Sequence, residues 1–511
     1  MSTFIDAINR EVDEKEKWTR TENGEVALKN TGDACMNFFA VLGALRDADW
    51  DRVVSLYEAS YAENPLLTTR MLFYARDTRG GLGERKIFRD LINHASKFHP
   101  ESIEENIALI PEYGRFDDWY SLVGTPLEST MFIQMHLQFL KDMQAMKEGR
   151  PVSLLAKWMK SCNTSASPKT RELGERTATA LRINFKEYRQ ALKQLRHYID
   201  VTECKMSESR WKEIDYSTVP SYAMKNYRVA FQRNDQDRFH EYLYAVQRGE
   251  KKINSSTLYP YDLIRAIWNG YGSIKDDVVV EEQWKALPNY IPEDMNALVM
   301  ADVSGSMTCS NCRPLHTSIG LATYFAERNK GAFHNLFMTF SAKPEFIKLE
   351  DFQSLAGKVR TVAKANWGMN TNLELAFEKI LNLAVENRVP SKEMPKALII
   401  ISDMEIDESQ RSYDGYMYGR TDSYKWTFYD RMKIRFEERG YEIPHVIFWN
   451  VASRHDVFHA DANRKGVTLV SGQSPSTFAS LMNLIGMTPY EAMVEILSSE
   501  RYAPISIMTT S

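Results

Sequence analysis

The amino-acid sequence predicts a helical-repeat domain followed by a doubly wound α/β domain. Residues 1–290 contain one amphipathic helical segment after another, joined by short loops that carry Gly, Pro and Asp. From residue 297 onward, short apolar runs alternate with helical segments, and two of those runs end in an aspartate. Buried strands that alternate with helices are typical of a mainly parallel sheet. We therefore predict an α-solenoid over residues 1–290 and an α/β domain over residues 291–488.

The composition of the 511-residue chain, 43% hydrophobic and 26% charged, is ordinary for a soluble globular protein. No apolar run reaches the roughly 18 residues of a membrane span, and the first residues are polar and acidic rather than a signal peptide. Five cysteines, few and odd in number, favour a reducing compartment. We expect a cytoplasmic protein that does not enter a membrane. The oligomeric state is left open.

Stacked helix pairs are the architecture predicted for the first half of the chain. Apolar side chains recur on one face of the segments 36–45, 53–62, 66–75 and 85–95. Helices of this kind bury their apolar faces against their neighbours in the stack. No strand-like alternation competes with this pattern before residue 290. No exact sequence repeat is present, so we predict degenerate, HEAT-like repeats.

A block of positive charge lies within the predicted solenoid. The whole chain has a net charge of −4, whereas residues 141–240 contain 20 basic and 12 acidic residues, a net charge of +8. Such a block points to a polyanionic partner, or to solvated helix faces whose charges are balanced by acidic neighbours in space; charge alone leaves both open. The basic residues that we single out as candidate nucleic-acid contacts are Lys157, Lys160, Lys169, Arg171, Arg176, Arg189, Lys193, Arg196, Lys225 and Arg228.

Aromatic residues lie between some of these bases. Segments 153–161 and 211–231 are each predicted to be one helix. The second places Tyr222, Tyr227 and Phe231 among basic residues. Basic residues with aromatics between them suit phosphate contact combined with base stacking. Alternatively, the aromatics fill the core of the solenoid and the bases merely lie outside it. For each aromatic taken singly, that alternative is the better interpretation.

The α/β half opens with the apolar run 297–301, which ends at Asp302. Such a run is typical of a buried parallel strand, and open α/β sheets bind ligands at the carboxyl ends of their strands. Ser304 and Ser306 follow at alternate positions, so the three side chains can turn their oxygens toward one point. Hydroxyl oxygens with one carboxylate suit Mg²⁺, which keeps open positions for water or a partner's anion. Alternatively, the two serines merely cap the next helix.

This spacing of Asp302, Ser304 and Ser306 resembles the metal-ion-dependent adhesion site (MIDAS) of von Willebrand factor A-type domains. The resemblance implies two further residues, a Thr from a second loop and an Asp at the end of a later strand. Thr371 lies in a loop before an amphipathic segment, and Asp403 follows a second apolar run. These five residues are therefore predicted to bind Mg²⁺ or another divalent cation. The alternative is an A-type domain whose metal site is vestigial.

The remaining segments complete a doubly wound sheet with one antiparallel edge strand. The predicted strands are 298–302, 336–341, 345–349, 397–403, 445–450 and 467–471, and the predicted helices are 315–327, 373–385, 424–438 and 474–485. Residues 489–511 are predicted to form a last helix and a tail that pack back on the helical domain.

The whole chain resembles the Ro ribonucleoprotein (TROVE-module) family, and more closely a set of uncharacterised Ro-like proteins. The stretches that carry the resemblance are 30–33, 76–85, 114–119, 157–158, 216–221, 258–261 and 448–450. The resemblance implies a ring of helical repeats joined by an A-type domain, with single-stranded RNA ends bound in the ring and structured RNA on an outer basic surface. No individual RNA contact carries over.

An RNA-binding scaffold with a Mg²⁺-binding A-type domain is the function that we predict. The alternative is a protein-interaction module that binds a partner's carboxylate through the metal, without nucleic acid. No His-Glu-x-x-His, Gly-Lys-Ser/Thr or Gly-x-Ser-x-Gly motif is present, so no enzymatic activity is expected. Cys309 and Cys312, with His316, form only a lone Cys-x-x-Cys set, which is weak evidence for zinc.

A glycine-rich loop, 80–83, lacks the Lys-Ser/Thr of a phosphate-binding loop and is better interpreted as a tight turn between helices. Arg76, Arg79 and Arg85 around it could bind phosphate. Pairing with the acidic residues beside them is the better interpretation of these three arginines.

Overall fold

The structure is a computed structural model that describes residues 17–163, 165–340, 343–364, 372–407 and 426–507. The chain forms two compact units. Unit 1 consists of Met1–Asn64 and Leu258–Ser499, and unit 2 consists of Pro65–Thr257 and Glu500–Ser511. The ring that the Ro resemblance implies stays a prediction.

An antiparallel hairpin near the start of the chain was not predicted. It consists of β1 (Trp18–Arg20) and β2 (Val26–Leu28). The turn contains Asn23 and Gly24, and Gly24 has a φ of 94°, which favours glycine. Asn-Gly between two short strands is a strong hairpin signal, so the sequence did contain the information. The hairpin joins unit 1 through a 2.8 Å hydrogen bond from the Leu28 N–H to the Phe458 carbonyl.

The core of unit 1 is a six-stranded sheet. Its strands are β3 (Ala297–Asp302), β4 (Leu336–Phe340), β5 (Glu345–Lys348), β6 (Ala397–Ser402), β7 (His445–Asn450) and β8 (Val467–Ser471). The spatial order is β5-β4-β3-β6-β7-β8, and every pair is parallel except β4 with β5. This is the doubly wound order with an antiparallel edge strand, as predicted.

The helices, in chain order, are α1 (Ala34–Val41), α2 (Trp50–Glu63), α3 (Pro65–Arg76), α4 (Arg85–Phe98), α5 (Pro100–Glu104), α6 (Ile110–Tyr113), α7 (Glu128–Lys147), α8 (Leu155–Trp158), α9 (Pro168–Ala180), α10 (Phe185–Tyr198), α11 (Thr202–Ser207), α12 (Ser221–Asn234), α13 (Gln236–Gln247), α14 (Pro260–Ile267), α15 (Val278–Lys285), α16 (Cys309–Arg328), α17 (Leu355–Ala363), α18 (Leu373–Glu386), α19 (Phe428–Glu438), α20 (Phe478–Leu481) and α21 (Pro489–Leu497). Unit 2 is therefore helical over its described residues, and in unit 1 the later helices alternate with the strands.

Two predicted helices are wrong in extent. The predicted helix 211–231 begins only at Ser221, because Pro220 has an extended backbone and cannot donate a helical hydrogen bond. The predicted helix 153–161 shrinks to the single turn of α8, which ends where Met159 turns to a ψ of 139°. Both segments carry bases that had been predicted to lie along continuous helices.

The compact units do not follow the predicted boundary at residue 290. Helices α14 and α15 belong to unit 1, because their apolar residues, among them Ile264 and Trp284, pack into the core under the sheet. The Trp284 indole N–H also donates a 2.7 Å hydrogen bond to Glu327 on α16. Gly320 of α16 permits a close approach, since a Cβ there would lie 3.0 Å from the backbone nitrogen of Tyr261.

The C-terminal segment divides between the units. Helix α21 belongs to unit 1, where the Tyr490 N–H donates a 3.0 Å hydrogen bond to the Ala462 carbonyl. The tail after it belongs to unit 2, where the Arg501 guanidinium and the Tyr502 hydroxyl both donate to the buried Asp77 carboxylate at 2.9 to 3.1 Å. Only the tail, and not the helix before it, is grouped with the helical unit.

Candidate functional site

The candidate metal residues lie at the edge of the sheet between β3 and β6, where the strand order reverses. Strands β3 and β6 are parallel neighbours, and the register pairs Ala301 with Ile401. Asp302 and Ser402 are therefore the next residues on the two strands, and Asp403 follows at the carboxyl edge. In this strand order, β3 and β6 flank the topological switch point, which is where open α/β sheets bind ligands.

Hydrogen bonds bring these side chains together. The Ser402 hydroxyl donates to Asp302 Oδ2 at 2.6 Å, and the Ser304 N–H donates to Asp302 Oδ1 at 2.8 Å. The Ser304 and Ser306 hydroxyl oxygens are 3.0 Å apart. The same Ser402 hydroxyl lies 3.5 Å from Asp403 Oδ1. Four of the five predicted metal residues thus share one site, whereas the fifth, Thr371, lies outside the described residues.

Two buried carboxylates make this site electrostatically unusual. Asp302 is completely buried and Asp403 is almost so. Burial, and then the negative charge of Asp403, raise the pKa of Asp302 above its ordinary value. A cation between them would remove both penalties, because it would compensate the desolvated charge and screen the repulsion. The side-chain atoms that would face the cation are all oxygens, and only two of the residues are carboxylates. Such a set fits a hard divalent cation such as Mg²⁺.

Arg454 is a residue of this site that the sequence analysis missed. Its guanidinium lies 2.8 Å from Asp403 Oδ2 and 2.9 Å from a carboxylate oxygen of Glu22. It follows β7 and belongs to no motif, so no local signal marked it. Arg454 neutralises part of the charge on Asp403, and it places a positive group beside the candidate metal position.

The chain after the metal loop has an unusual backbone. Ser310, Asn311 and Cys312 have φ values of 51°, 58° and 58°, which is a left-handed turn of three non-glycine residues. Each such residue costs about 1–2 kcal/mol, and strain of this kind clusters at functional sites. The capping alternative is not supported, because the Ser304 side chain makes no capping hydrogen bond to the turn Gly305–Thr308.

The candidate zinc ligands are not brought together. Among the described residues, Cys309, Cys312 and His316 do not form a group whose ligand atoms all lie within 4.8 Å of one another. A Cβ on Gly270 would lie 2.6 Å from Cys312 Sγ and 3.9 Å from His316 Nε2. Cys309 instead interacts electrostatically with Arg454 on the metal side. The left-handed turn separates the two cysteines, so the zinc hypothesis is not supported.

Many of the candidate nucleic-acid contacts have structural partners within unit 2. The Arg196 guanidinium donates 2.8 Å hydrogen bonds to the carbonyls of Ala156 and Met159, which ties α10 to α8. The other contacts of this kind are Arg176 with Glu128 at 2.5 Å, Lys157 with Glu203 at 3.7 Å, Arg171 with Glu175 at 3.9 Å, Lys160 over the Tyr120 ring at 5.2 Å, Lys225 over the Tyr222 ring at 4.9 Å, and Arg228 with the Lys225 carbonyl. Only part of the basic block is therefore directed at solvent.

Helix α10 presents the clearest basic surface. Lys186, Arg189 and Lys193 are exposed on one side of it, opposite the buried residues Tyr188 and Leu192. No ion pair joins these three bases to a carboxylate in the described part of the chain. Gln190, Gln194 and His197 are exposed beside them. We call these six residues the α10 face. Glu187 is exposed at its border, where its carboxylate accepts a 3.1 Å hydrogen bond from the Asn184 N–H. Lys169, the remaining candidate, is exposed on α9.

Exposed aromatic rings lie at both ends of the same helix. Phe185 is 45% exposed and Tyr198 is 40% exposed. Of the aromatics predicted to stack on bases, Tyr222 is exposed, but Phe231 is completely buried against Tyr216. The core interpretation is therefore correct for Phe231. Phe185 and Tyr198 were not singled out in the sequence, because amphipathic periodicity does not decide which face of a helix is covered.

Two family descriptions match the chain, and both are domains of unknown function. Residues 296–504 match DUF7788, and residues 21–114 and 152–294 match DUF2828. An uncharacterized protein, L728, of Acanthamoeba polyphaga mimivirus is 26% identical over 530 residues, which covers 95% of this chain and 88% of the viral protein. The chain is thus similar to these proteins over nearly its full length.

A solved structure also aligns with the chain. The crystal structure of the Ro (RSR) protein of Deinococcus radiodurans covers 90% of this chain and 95% of its own, with 14% identity and a TM-score of 0.35. At so low a TM-score, the alignment is not evidence for a shared fold or function. Within the described ranges, no helix is both long enough and apolar enough to cross a membrane.

Proposed function

We propose that this chain is a cytoplasmic RNA-binding protein and that unit 2 binds the RNA through the α10 face. The observation that carries the proposal is a helix face with three exposed bases, bordered by one carboxylate, that of Glu187, which is hydrogen-bonded to the helix N-terminus. Polar helix faces usually intersperse both signs of charge, so a face on which positive charge predominates favours a polyanion as partner. Binding, rather than catalysis, is the role proposed for the whole chain.

The spacing of the bases suits a phosphate backbone. Neighbouring bases on the face are three and four residues apart, so their Cβ atoms are about 5–6 Å apart along one line. The flanking rings of Phe185 and Tyr198 are exposed enough to stack on unpaired bases. Such stacking contributes about 1–3 kcal/mol per base and tolerates any sequence. The resemblance of the sequence to Ro proteins supports the same partner.

Charge reversal tests the proposal. The variant carries Lys186→Glu, Arg189→Glu and Lys193→Glu, and its matched control carries Lys97→Glu, Lys141→Glu and Lys147→Glu. The control changes the net charge of unit 2 equally, at exposed bases that belong to other helices than α10. Fluorescence anisotropy with labelled single-stranded and hairpin RNA should show at least a 100-fold loss of affinity for the variant and at most a few-fold loss for the control. Equal losses in both would contradict a specific role for α10.

We propose as a second function that the switch point of unit 1 binds an anionic group through a divalent cation. The convergence of Asp302, Ser304, Ser306 and Asp403 favours it. The serine hydroxyls would hold the cation, the two carboxylates would orient its water ligands, and Thr371 is the further ligand that the MIDAS resemblance implies. Bound Mg²⁺ would supply a Lewis-acidic centre with a position open to a carboxylate or phosphate oxygen of a partner.

The two functions are separable by experiment. RNA binding through α10 should survive Asp302→Ala and a chelator, and purified protein should lose absorbance at 260 nm relative to 280 nm after nuclease treatment. Partner binding through the metal should be abolished by Asp302→Ala or a chelator and be indifferent to nuclease. Loss of RNA binding on chelation would instead place the RNA at the metal.

A further inference from the structure

A second basic cluster, distinct from the α10 face, lies partly buried in unit 2. It consists of Arg89, Arg115 and Lys160, which surround Asp117 and Asp118. Arg89 contacts both carboxylates, with Nε 2.6 Å from Asp118 Oδ1 and Nη2 2.7 Å from Asp117 Oδ2. The Arg115 guanidinium donates to Asp117 twice, from Nε to Oδ1 at 3.0 Å and from Nη2 to Oδ2 at 3.2 Å. We call this group the Arg115 cluster.

The two carboxylates do not balance the bases. Asp118 is completely buried and also pairs with the buried Arg76, whose Nε lies 2.7 Å from Asp118 Oδ2. Counting Arg76 with the Arg115 cluster gives four bases against two carboxylates, an excess of two positive charges. Partly buried charge of one sign is costly unless a counterion compensates it.

Burial and the neighbouring positive charges lower the pKa of two of these bases, whereas Asp118 and Asp117 raise the pKa of Arg89 in spite of its burial. The pKa of the Lys160 ammonium lies below its ordinary value, first because of burial and then because of Arg89 and Arg115, although Asp117 opposes the shift. Burial, and then the charges of Arg85 and Arg76, lower the pKa of Arg115 as well, although Asp117 and Asp118 oppose the shift. Positive groups held close against their own repulsion are typical of a site that receives an anion.

Aromatic rings lie against two of the three bases. The Arg115 guanidinium carbon lies 4.1 Å from the centre of the Trp158 ring, and Lys160 Nζ lies 5.2 Å from the centre of the Tyr120 ring. The side chains of Arg89 and Arg115 are each 29% exposed, so solvent reaches them. The ring holds the Arg115 guanidinium in one plane, and Asp117 engages its Nε and Nη2, so Nη1 is the nitrogen that would donate to a phosphate oxygen.

We propose that Arg89, Arg115 and Lys160 form a binding site for a phosphate group. The excess of two positive charges matches a phosphate monoester or inorganic phosphate, which carries up to two negative charges near neutral pH. The site would bind one such group in a fixed place, whereas the α10 face would bind an extended backbone. The proposal does not depend on RNA binding by α10, since none of its residues lies on that helix.

Inorganic phosphate alone is the first probe. Isothermal titration calorimetry of the full chain should detect 1:1 binding of phosphate, and Lys160→Gln and Arg115→Gln should each weaken it at least tenfold. Arg248→Gln is the matched control, because Arg248 is an exposed base of unit 2 paired with Glu250 at 2.6 Å. Its binding should equal that of the wild type. If Arg115→Gln fails to fold, Lys160→Gln decides the outcome.

The source of the phosphate requires a second probe. A 5′-phosphorylated oligoribonucleotide that binds at least tenfold more tightly than its 5′-hydroxyl form, with the difference lost in Lys160→Gln, would assign the site to an RNA end. Equal binding of the two forms, with inorganic phosphate still bound, would assign it to a free phosphate. The triple α10 variant should bind inorganic phosphate normally, which separates the two proposals. Unchanged phosphate binding in folded Lys160→Gln would overturn this one.

Discussion

The hydroxyl of Ser402 donates a 2.6 Å hydrogen bond to the carboxylate of Asp302. Both residues are completely buried, and they end neighbouring parallel strands at the switch point of the sheet. The bond fixes the orientation of the Asp302 carboxylate, and the nearby negative charge of Asp403 helps to raise its pKa after burial. The candidate metal site is thus positioned by the pairing of β3 with β6 rather than by its loops alone.

Magnesium should stabilise the protein through this site. At about 100 times the dissociation constant, a ligand that binds only the folded state adds about 2.7 kcal/mol. Differential scanning fluorimetry should therefore show a higher melting temperature in Mg²⁺ than in EDTA. Asp302→Asn should abolish the difference without lowering the melting temperature in EDTA, because the amide relieves the repulsion with Asp403. An undiminished Mg²⁺ response in Asp302→Asn would contradict the metal assignment.

The left-handed turn after the metal loop should be a local source of instability. Asn311 has a φ of 58°, a conformation that glycine adopts at little cost and that β-branched residues strongly disfavour. Asn311→Gly should raise the free energy of unfolding by about 1 kcal/mol, and Asn311→Val should lower it by at least as much. Urea denaturation measures both.

Gln190→Gly, in the middle of α10, is the control for this pair. Glycine at an ordinary helical position should destabilise by about 1 kcal/mol. If Asn311→Gly destabilises as Gln190→Gly does, then residue 311 is not left-handed in solution.

Buried His445 should make stability depend on pH. Its Nε2 lies 2.8 Å from the Thr468 hydroxyl, and burial lowers its pKa from 6.5 to about 4. Between these values the unfolded chain binds the proton and the folded chain does not. Stability from this group is therefore complete above pH 6.5 and is lost as the pH falls to about 4, by up to about 3 kcal/mol.

Urea denaturation from pH 7 to pH 4.5 tests the assignment to His445. The His445→Gln variant should lose less stability over this range than the wild type. The control variant, His197→Gln, changes an exposed histidine and should follow the wild-type curve. Parallel curves for His445→Gln and the wild type would show that another group is responsible.

The tail should stabilise unit 2 through Asp77. The buried Asp77 carboxylate accepts hydrogen bonds from Arg501 at 2.9 Å and from Tyr502 at 3.1 Å. Arg501→Ala should cost about 3 kcal/mol, because it leaves a buried carboxylate without its counterion. Asp77→Asn in that background should recover part of the loss. Thermal denaturation of the two single variants and the double variant completes a double-mutant cycle. If the losses of stability in the single variants simply add up in the double variant, then Arg501 and Asp77 do not interact.

Strong apolar runs made the sheet predictable from the sequence. Continuous apolar runs of five residues, such as 297–301 and 397–401, predicted buried strands. Asp302 and Asp403 follow these runs, so they were predicted to lie at one edge of the sheet. Arg454 could not be predicted, because it reaches the site through tertiary packing from a loop without a motif. The Asn23-Gly24 hairpin could have been predicted, since its signal is local.

Domain grouping was harder to predict than the elements themselves. Helices α14 and α15 have the same amphipathic pattern as the helices of unit 2, but their apolar faces pack under the sheet. A pattern predicts that a face is buried, and not which element covers it. For the same reason, the sequence could not separate the exposed bases of α10 from Arg196, whose guanidinium is bonded to two backbone carbonyls.

The salt dependence of RNA binding tests the central proposal most directly. For single strands, the slope of log K against log salt changes by about 0.7 for each phosphate contact. Reversing Lys186, Arg189 and Lys193 to Glu should therefore make the slope shallower by about 2, while the control at Lys97, Lys141 and Lys147 keeps the wild-type slope. The same slope and affinity in the α10 variant as in the wild type would contradict the proposal that this face binds RNA.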